Sequence, residues 1–221
     1  MNITIKPGER SGCVTIPSSK SQAHRQLICA ALSKSPSVIF CDGISKDIKA
    51  TIDCLNAAGA DISFDENGRI EVRPLKADKN AEGKAADLYC GESGSTLRFM
   101  IPVAGALGIR AVFHMEGRLA DRPIQVYTDE LSRHGMRFVK EGSLLKCEGR
   151  LESGDYTIPG NISSQYITGL LFALPLLEGS SCINITGSLE SADYIAMTED
   201  ALKISGVEFE KGEMRYDIKG G

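Results

Sequence analysis

The chain has 221 residues, of which 42% are hydrophobic and 24% are charged, so it can bury a substantial core and is too apolar for intrinsic disorder. Its net charge of −4 argues against bulk binding to nucleic acid or to an anionic membrane surface, although this charge is compatible with a local cationic patch. The longest apolar run, from Ile167 to Leu177, is well short of the ~20 residues that a membrane-spanning helix needs. We expect a soluble protein, and residues 1–7 predict a strand and a turn rather than a signal peptide.

The cysteines and histidines predict neither a disulfide framework nor a metal site. Seven cysteines are scattered without a C-x-x-C pair, and the three histidines are isolated from one another. Such spacing favours reduced thiols in the protein core and a cytoplasmic location.

In chain order, the predicted elements repeat three times. In each repeat an amphipathic helix ends at a glycine, and a β-hairpin follows. The glycines are Gly59, Gly135 and Gly206, at intervals of 76 and 71 residues. The helices are predicted over Asp47–Ala58, Pro123–His134 and Tyr194–Ser205, and the hairpins over 59–72, 135–147 and 206–218.

Each repeat begins further upstream with a strand, a helix and another strand. The upstream helices are predicted to begin near Ser19, Gly94 and Ser163, and the strands after them to cover Ser37–Cys41, Ala111–Met115 and Cys182–Thr186. The unit is therefore β-α-β-α-β-β, and the predicted fold class is α/β (α+β). The three repeats cover about 13–75, 86–149 and 154–219, and together they form one domain of residues 13–219. The apolar helix from Ile167 would form a shared core. Residues 1–12, with the strand pattern Ile3-Thr4-Ile5, lie outside the triplet.

The starts of the upstream helices carry groups suited to binding anions. Lys20 and Arg25 lie in the first turns of a helix, where exposed N–H groups disfavour cations unless an anion is bound. The stretch Gly94 to Arg98 is a Gly/Ser-rich loop, and Ser163-Ser164-Gln165 offers hydroxyls and an amide. Capping or a solvated turn also explains each stretch alone. Because all three repeats carry such groups at the same position, we expect the helix starts to converge on one site.

Arg122 is a further candidate because Pro123 follows it. Proline suits the first position of a helix, which would leave Arg122 at the N-cap, where Ser, Thr, Asp or Asn is usual. An arginine is disfavoured at an N-cap, and its guanidinium is suited to bidentate contact with a carboxylate or phosphate. The alternative is an ordinary surface arginine.

These motifs resemble those of the enolpyruvyl transferase family, in the expected order along the whole chain. Pro17 to Arg25 matches the family's N-terminal K-S-x-x-x-R signature, and Arg122-Pro123-Ile124 its R-P-I motif. Gly94 to Arg98, Ser163 to Gln165 and Ser191 to Ile195 resemble its Gly-rich, S-S-Q and S-x-x-Y-I segments. The branch acting on UDP-N-acetylglucosamine shares the fold but lacks the K-S-x-x-x-R pattern. The resemblance therefore favours the branch that acts on shikimate 3-phosphate.

The resemblance implies that this chain is the N-terminal half of a two-domain, inside-out α/β barrel, with the active site in the cleft between the domains. Residues 1–12 would pair with the second domain. The implied reaction transfers the enolpyruvyl group of phosphoenolpyruvate to the 5-hydroxyl of shikimate 3-phosphate and releases phosphate, in aromatic amino-acid biosynthesis. The acid/base carboxylates would lie in the second domain, so this chain alone is expected to bind shikimate 3-phosphate without turnover.

The resemblance also implies roles for individual residues. It implies no cofactor, no metal and no nucleic-acid or membrane partner, and a monomer is expected. The implied catalytic residues are Lys20, Arg122 and Gln165. Shikimate 3-phosphate would be held by Lys20, Ser21, Arg25, Ser163, Ser164, Gln165, Ser191 and Tyr194, and phosphoenolpyruvate by Lys20, Gly94, Arg122 and Gln165. Glu92 and Ser93 stand where many members have Asn-Ala, which bears on phosphoenolpyruvate or inhibitor affinity.

Two other functions stay open at this point. One is a non-catalytic module that binds phosphate or a sugar acid, and the other is an activity of the RNA 3′-phosphate cyclase type, which is related in subdomain fold. The net charge of −4 and the absence of a basic-aromatic pattern argue against RNA.

Overall fold

The computed structural model describes residues 3–4, 7–9, 11–75 and 85–221. The helices in these ranges are α1 (Lys20–Leu32), α2 (Lys46–Ala57), α3 (Gly94–Ala106), α4 (Gln125–Ser132), α5 (Ser164–Ala173) and α6 (Ala192–Ile204). The strands are β1 (Ser37–Phe40), β2 (Asp61–Phe64), β3 (Arg69–Arg73), β4 (Ala86–Gly91), β5 (Ala111–Met115), β6 (Met136–Glu141), β7 (Leu144–Gly149), β8 (Asp155–Pro159), β9 (Ser181–Thr186), β10 (Phe209–Lys211) and β11 (Arg215–Ile218).

The strands form three separate sheets, and each sheet is built from one repeat. The second and third have the equivalent orders β4-β5-β7-β6 and β8-β9-β11-β10. In both, the leading strand pairs in parallel with the strand after the first helix, and the hairpin adds two antiparallel strands. A parallel pair needs a crossover connection, which α3 and α5 supply. The predicted unit is confirmed in these two repeats.

The first sheet differs from the prediction because its leading strand is not formed in the described residues. The sheet has the order β1-β3-β2, and residues 11–19 have no regular secondary structure. Val14 there is 86% exposed, so the apolar alternation of this segment buries little. Gly12 and Pro17 bracket the alternation, and both residue types weaken a strand. Ile3 and Thr4 also lack regular structure, and Ile5 lies outside the described residues.

In each repeat a glycine in the left-handed conformation connects the second helix to the hairpin, as predicted. Gly59, Gly135 and Gly206 have φ angles of 115°, 91° and 77°. This region is open to glycine and costly for other residues. The same three positions therefore turn the chain from helix to strand in every repeat.

The centre of the fold is the packed pair α3 and α5. Gly169 of α5 lies so close to α3 that a β-carbon there would be 2.6 Å from the Arg98 carbonyl oxygen. The predicted core helix is thus present, although it begins at Ser164 and gives way after Ala173 to a 3₁₀ turn. Pro175 explains this end, because proline has no N–H to continue the helix. The pairing of α3 with α5 brings the starts of both helices together.

The helix predicted from Pro123 begins two residues later, so the expected N-cap role of Arg122 is wrong. Arg122 follows a 3₁₀ turn and has ψ of 137°, the extended conformation favoured before proline. The Pro123 carbonyl accepts the Tyr166 hydroxyl at 2.6 Å instead of a helical N–H, and the N–H of Tyr127 bonds to Ile124. A tertiary contact therefore sets the start of α4.

All seven cysteines are free thiols, which confirms the absence of disulfides. Six are buried, but Cys13 is exposed and so is not a core residue. Burial raises the pKa of the Cys29 thiol to about 11 and raises that of Cys147 still further. Because the thiolate is the reactive form, Cys29 and Cys147 are poor nucleophiles.

We expect one cysteine, Cys13, to react rapidly with an aromatic disulfide reagent in the native protein. The other six should react only as fast as the protein unfolds, because they are buried away from the reagent. The measurement is the time course of thiol modification with and without denaturant, and Cys13→Ser should remove the fast phase. A fast phase of two or more thiols would contradict this expectation.

Candidate functional site

Lys20 begins α1 beside the start of α2. Ser19 caps the helix by accepting the N–H of Gln22 at 3.3 Å. The Lys20 ammonium lies 2.7 Å from the Asp47 carboxylate, and its side chain is 52% exposed. An exposed ion pair of this kind contributes little free energy, so Lys20 can exchange Asp47 for a ligand anion. Asp47 was not predicted, because an acidic residue in the first turn of a helix is ordinary.

Arg25 is a buried cation that joins α1 to α6. Its side chain is only 3% exposed. The guanidinium donates to the carbonyls of Ser21 and Tyr194, each at 2.7 Å, and to the Thr198 hydroxyl at 2.8 Å. It also stacks over the Phe99 ring of α3 at 5.5 Å. Burial lowers the pKa of Arg25 to about 10. All three hydrogen-bond partners are neutral, and a buried cation of this kind favours a bound anion.

Two further guanidinium groups converge over Gly94 at the start of α3. A β-carbon on Gly94 would be 2.7 Å from Nη1 of Arg122 and 3.2 Å from Nη1 of Arg98. Nη1 of Arg98 donates to Oε1 of Gln165 at 2.6 Å, and Nε2 of Gln165 donates to the Ser95 hydroxyl at 3.0 Å. The site therefore places two cations beside the positive end of a helix, where an anion is favoured.

Arg98, like Asp47, is a functional candidate that the sequence did not predict. It is buried and holds the side chain of Gln165, as described above. The sequence contains a signal for Arg98, because it lies in the second turn of α3 just as Arg25 lies in the second turn of α1.

The starts of α5 and α6 complete the arrangement. Ser163 caps α5 by accepting the N–H of Gln165 at 3.3 Å, and Ser164 is buried. Ser191, before α6, has a left-handed φ of 56° and makes no capping bond with its side chain. That conformation costs a non-glycine residue about 1–2 kcal/mol, so the Ser191 hydroxyl is held out of the usual capping role. The Tyr194 ring is half-exposed.

The predicted site residues fall into two connected groups. One group surrounds Gly94 and contains Arg122 and Gln165, and the other surrounds Arg25 and contains Ser21 and Tyr194. Stacking of Arg25 on α3 connects them. Lys20 makes its described ion pair with Asp47 rather than with either group.

Glu92 lies in the loop that leads into α3. Its side chain is exposed and reaches over Gly117, where a β-carbon would collide with the carboxylate. Ser93, next to it, is buried and caps α3 by accepting the N–H of Thr96 at 3.2 Å. The effect of this pair on ligand affinity stays a prediction.

We expect Gly94→Ala to weaken phosphate binding at the start of α3 by about tenfold, since the methyl group would displace the Arg122 guanidinium and lose about one charge-assisted hydrogen bond. Titration with inorganic phosphate, followed by amide shifts, measures the affinity. Gly8→Ala is the matched control, because a β-carbon there would meet nothing within 4 Å. Equal phosphate affinity in the Gly94 variant would count against the site.

His24 is a buried titratable group next to Arg25. It is 1% exposed, and Nδ1 lies 2.7 Å from the Thr51 hydroxyl. Nε2 has no hydrogen-bond partner in the described part of the chain. Burial lowers the pKa of His24 from 6.5 to about 4, against the opposing effect of Asp47 and with help from Lys20 and Arg25. The imidazole is therefore neutral at physiological pH.

We expect the free energy of unfolding to fall as the pH is lowered from 6.5 to about 4. Over this range the unfolded histidine binds a proton and the folded one does not, so acid favours the unfolded state by up to about 3 kcal/mol. Urea unfolding at a series of pH values measures the slope. His24→Asn should make the slope shallower, and an unchanged slope in that variant would contradict the assignment.

The candidate site lies at the starts of the helices. Two cavities, of about 930 and 1,040 Å³, lie elsewhere, one beside β9 and β11 and the other between α1 and α6, and no predicted site residue lines either. Within the described ranges no helix has the length and apolarity to cross a membrane. The same ranges contain no cluster of three or more His, Cys, Asp or Glu side chains suited to a metal ion.

Comparisons with known proteins agree on one family. The family model described as EPSP synthase (3-phosphoshikimate 1-carboxyvinyltransferase) matches residues 5–221. Relatives named 3-phosphoshikimate 1-carboxyvinyltransferase include one from Clostridium kluyveri, 43% identical over 99% of this chain and 51% of its own length. Another, from Clostridium beijerinckii, is 43% identical over 94% of this chain and 49% of its own length. The chain thus spans about half the length of the curated relatives it matches.

A solved structure shares the fold. The EPSP synthase of Acinetobacter baumannii superimposes with a TM-score of 0.79 at 22% sequence identity, covering 95% of this chain and 47% of that one. The three-sheet arrangement is therefore the fold of about half of that structure.

Proposed function

This chain belongs to the EPSP synthase family, and we propose that it is the N-terminal half of an enzyme that transfers the enolpyruvyl group of phosphoenolpyruvate to the 5-hydroxyl of shikimate 3-phosphate and releases phosphate. The observation that carries the proposal is the convergence of Arg98 and Arg122 over Gly94, beside the buried Arg25. Both substrates carry phosphate, which such a site favours. The activity belongs to the shikimate pathway of aromatic amino-acid biosynthesis.

Shikimate 3-phosphate is assigned to the group around Arg25, together with Lys20 and with residues at the starts of α5 and α6. Lys20, Ser21, Arg25, Ser163, Ser164, Gln165, Ser191 and Tyr194 would hold it. The buried guanidinium of Arg25 is fixed by three neutral partners, so it supplies a preorganised positive charge. Serine hydroxyls at the starts of α5 and α6 add neutral donors for phosphate oxygens.

Phosphoenolpyruvate is assigned to the group around Gly94. Lys20, Gly94, Arg122 and Gln165 would contact it, and Lys20, Arg122 and Gln165 are the catalytic residues of this half. The 5-hydroxyl loses its proton as its oxygen bonds to the enol carbon, and the methylene carbon gains a proton to become a methyl group. The bond between the former enol carbon and the phosphate oxygen then breaks, phosphate leaves, and the methyl carbon loses a proton to restore the double bond. The cations of this chain stabilise the phosphate and carboxylate charges through these steps.

The rest of the active site is assigned to a second domain. The proton-transferring carboxylates and further cations belong to that domain. The active enzyme is a cytoplasmic monomer whose substrates are small molecules. It uses no metal or cofactor.

The second candidate function is a non-catalytic module that binds phosphate or a sugar acid. The cations around Gly94 and Arg25 support it, because binding of phosphate needs no proton-transferring carboxylate. Binding of shikimate 3-phosphate without turnover fits both functions, so only turnover with a second half separates them.

The proposed activity is tested by phosphate release after a second half is added, and the residues assigned to shikimate 3-phosphate are tested by titration of the isotopically labelled chain with that compound. We expect amide shifts at residues 19–25, 163–165 and 191–194, and much smaller shifts with shikimate, which lacks the phosphate. Arg25→Gln should abolish the shifts while the spectrum of the three sheets is preserved. Shifts confined to other residues would contradict the assignment.

A further inference from the structure

A chain of buried hydroxyl groups runs from His24 to the start of α3. Nδ1 of His24 lies 2.7 Å from the Thr51 hydroxyl, which lies 2.7 Å from the Thr96 hydroxyl. The Thr96 hydroxyl lies 2.7 Å from that of Ser93. All four residues are buried, and they belong to α1, α2, α3 and the N-cap of α3. The chain of hydrogen bonds therefore joins three helices and ends next to Gly94.

The direction of this chain follows from the orphaned nitrogen of His24. Neutral imidazole carries one N–H, and the other nitrogen is an acceptor. Nε2 has no described partner, and a buried N–H without an acceptor is rarer in proteins than an acceptor without a donor. The favoured tautomer is therefore the one with the proton on Nδ1, which donates to Thr51. The described side-chain partners of the Thr51 hydroxyl are His24 and Thr96, so its own hydrogen has the Thr96 hydroxyl as acceptor. The Thr96 hydroxyl in turn donates to Ser93 at 2.7 Å rather than to the Asp47 carbonyl, which lies farther away at 3.4 Å.

The direction of the hydrogen bonds decides whether the Ser93 hydroxyl has a hydrogen left to donate to a ligand. Ser93 Oγ accepts the N–H of Thr96 as the helix cap. When Thr96 also donates its hydroxyl to Ser93, both acceptor positions of Ser93 are used and its own hydrogen is free for another acceptor. In the reverse direction the Ser93 hydrogen would be consumed inside the chain. Gly94, over which Arg98 and Arg122 converge, is the next residue.

We propose that His24 is a positioning residue of the anion site: as the Nδ1–H tautomer it directs the hydroxyl chain through Thr51 and Thr96, so that the Ser93 hydroxyl donates to the anion bound at Gly94. His24 does not touch the ligand; it acts through three hydroxyls. The inference rests on the proposed function only for the identity of the anion, phosphoenolpyruvate. The direction of the chain is a property of this molecule alone.

The first experiment observes the tautomer directly. In protein labelled with nitrogen-15 at histidine, His24 should show an N–H at Nδ1 and a bare Nε2 at neutral pH, with and without inorganic phosphate. An N–H at Nε2, or a doubly protonated ring, would overturn the proposal. This measurement needs no turnover, so it stands even if the proposed function fails.

The second experiment separates positioning from support of the fold. It uses this chain joined to the C-terminal half of the Clostridium kluyveri relative, with Thr51→Val to break the chain and Thr51→Ser to restore it. We expect Thr51→Val to raise the KM for phosphoenolpyruvate roughly fivefold to tenfold, the loss of about one hydrogen bond, with less than twofold change in the KM for shikimate 3-phosphate. Thr51→Ser should return the value to within about twofold of the parent.

The matched control deletes a buried hydroxyl elsewhere. Ser181 accepts the N–H of Gly154 at the start of β9, and Ser181→Ala should leave both KM values unchanged. Equal changes in both KM values, or no rescue by Thr51→Ser in a folded protein, would overturn the positioning role. A parent hybrid that binds neither substrate would refute the proposed function and leave the tautomer result to decide the direction of the chain.

Discussion

Arg122→Ala is expected to lower kcat/KM for phosphoenolpyruvate by roughly 30-fold to several thousandfold in a hybrid that joins this chain to the C-terminal half of a Clostridium relative. Removing one partner of a desolvated charge pair costs about 2–5 kcal/mol, and Arg122 lies directly over Gly94. Lys20→Met should have an effect of the same order. Arg122→Lys should fall between, because lysine keeps the charge but loses the bidentate fork.

The control for this prediction is an arginine outside the site. Arg73 is exposed on β3 and pairs with Asp61 at 3.1 Å, so Arg73→Ala should change kcat/KM by less than about twofold, as is usual for surface ion pairs. Steady-state assays of phosphate release measure all four variants. Near-parental kcat/KM in Arg122→Ala or Lys20→Met would remove that residue from the anion site.

The second large effect concerns the chain without a second half. We expect the 221-residue chain to fold, to bind shikimate 3-phosphate weakly and to show no detectable turnover. Positioned acid–base groups typically contribute about 10²–10⁴ in rate, and closure of a cleft around the substrates adds to that. Both are assigned to the second domain, whereas the cations around Gly94 and Arg25 lie in this chain.

This expectation is checked by assaying phosphate release from the purified chain before and after the separately expressed C-terminal half is added. Release should appear only after the addition and should depend on both substrates. A variant with Arg25→Gln should remain inactive in the mixture. Turnover by the chain alone would refute the division of the site between two halves.

Much of the local structure could be predicted from the sequence because local chemistry determines it. The left-handed glycines Gly59, Gly135 and Gly206 end helical patterns and precede alternating apolar residues, so each marks the same turn in its repeat. The serine caps Ser19 and Ser163 stand directly before the observed helices. These features depend on a few neighbouring residues, and the sequence therefore specifies them without reference to the rest of the fold.

The starts of the helices could also be predicted from the sequence as candidate anion sites, since Lys20 in the first turn of α1 is disfavoured by the helix dipole and α3 and α5 begin with glycine, serine and amide groups. Their mutual arrangement could not. Arg98 reaches Gln165 from 67 residues away and Arg25 reaches Thr198 from 173 residues away. Only the packing of α3 against α5, and of α1 against α6, determines such pairs.

Tertiary contacts also overrode local signals at particular places. Pro123 suits a helix start, but its carbonyl is taken by Tyr166, and α4 begins later. The alternation around Val14 suits a strand, but without a partner strand it buries too little surface to form one. The sequence by itself determined the repeat, the caps and the kinds of groups at the helix starts. The tertiary structure alone decided which of those groups meet, because hydrogen bonds and burial between distant residues exist only once the helices have packed.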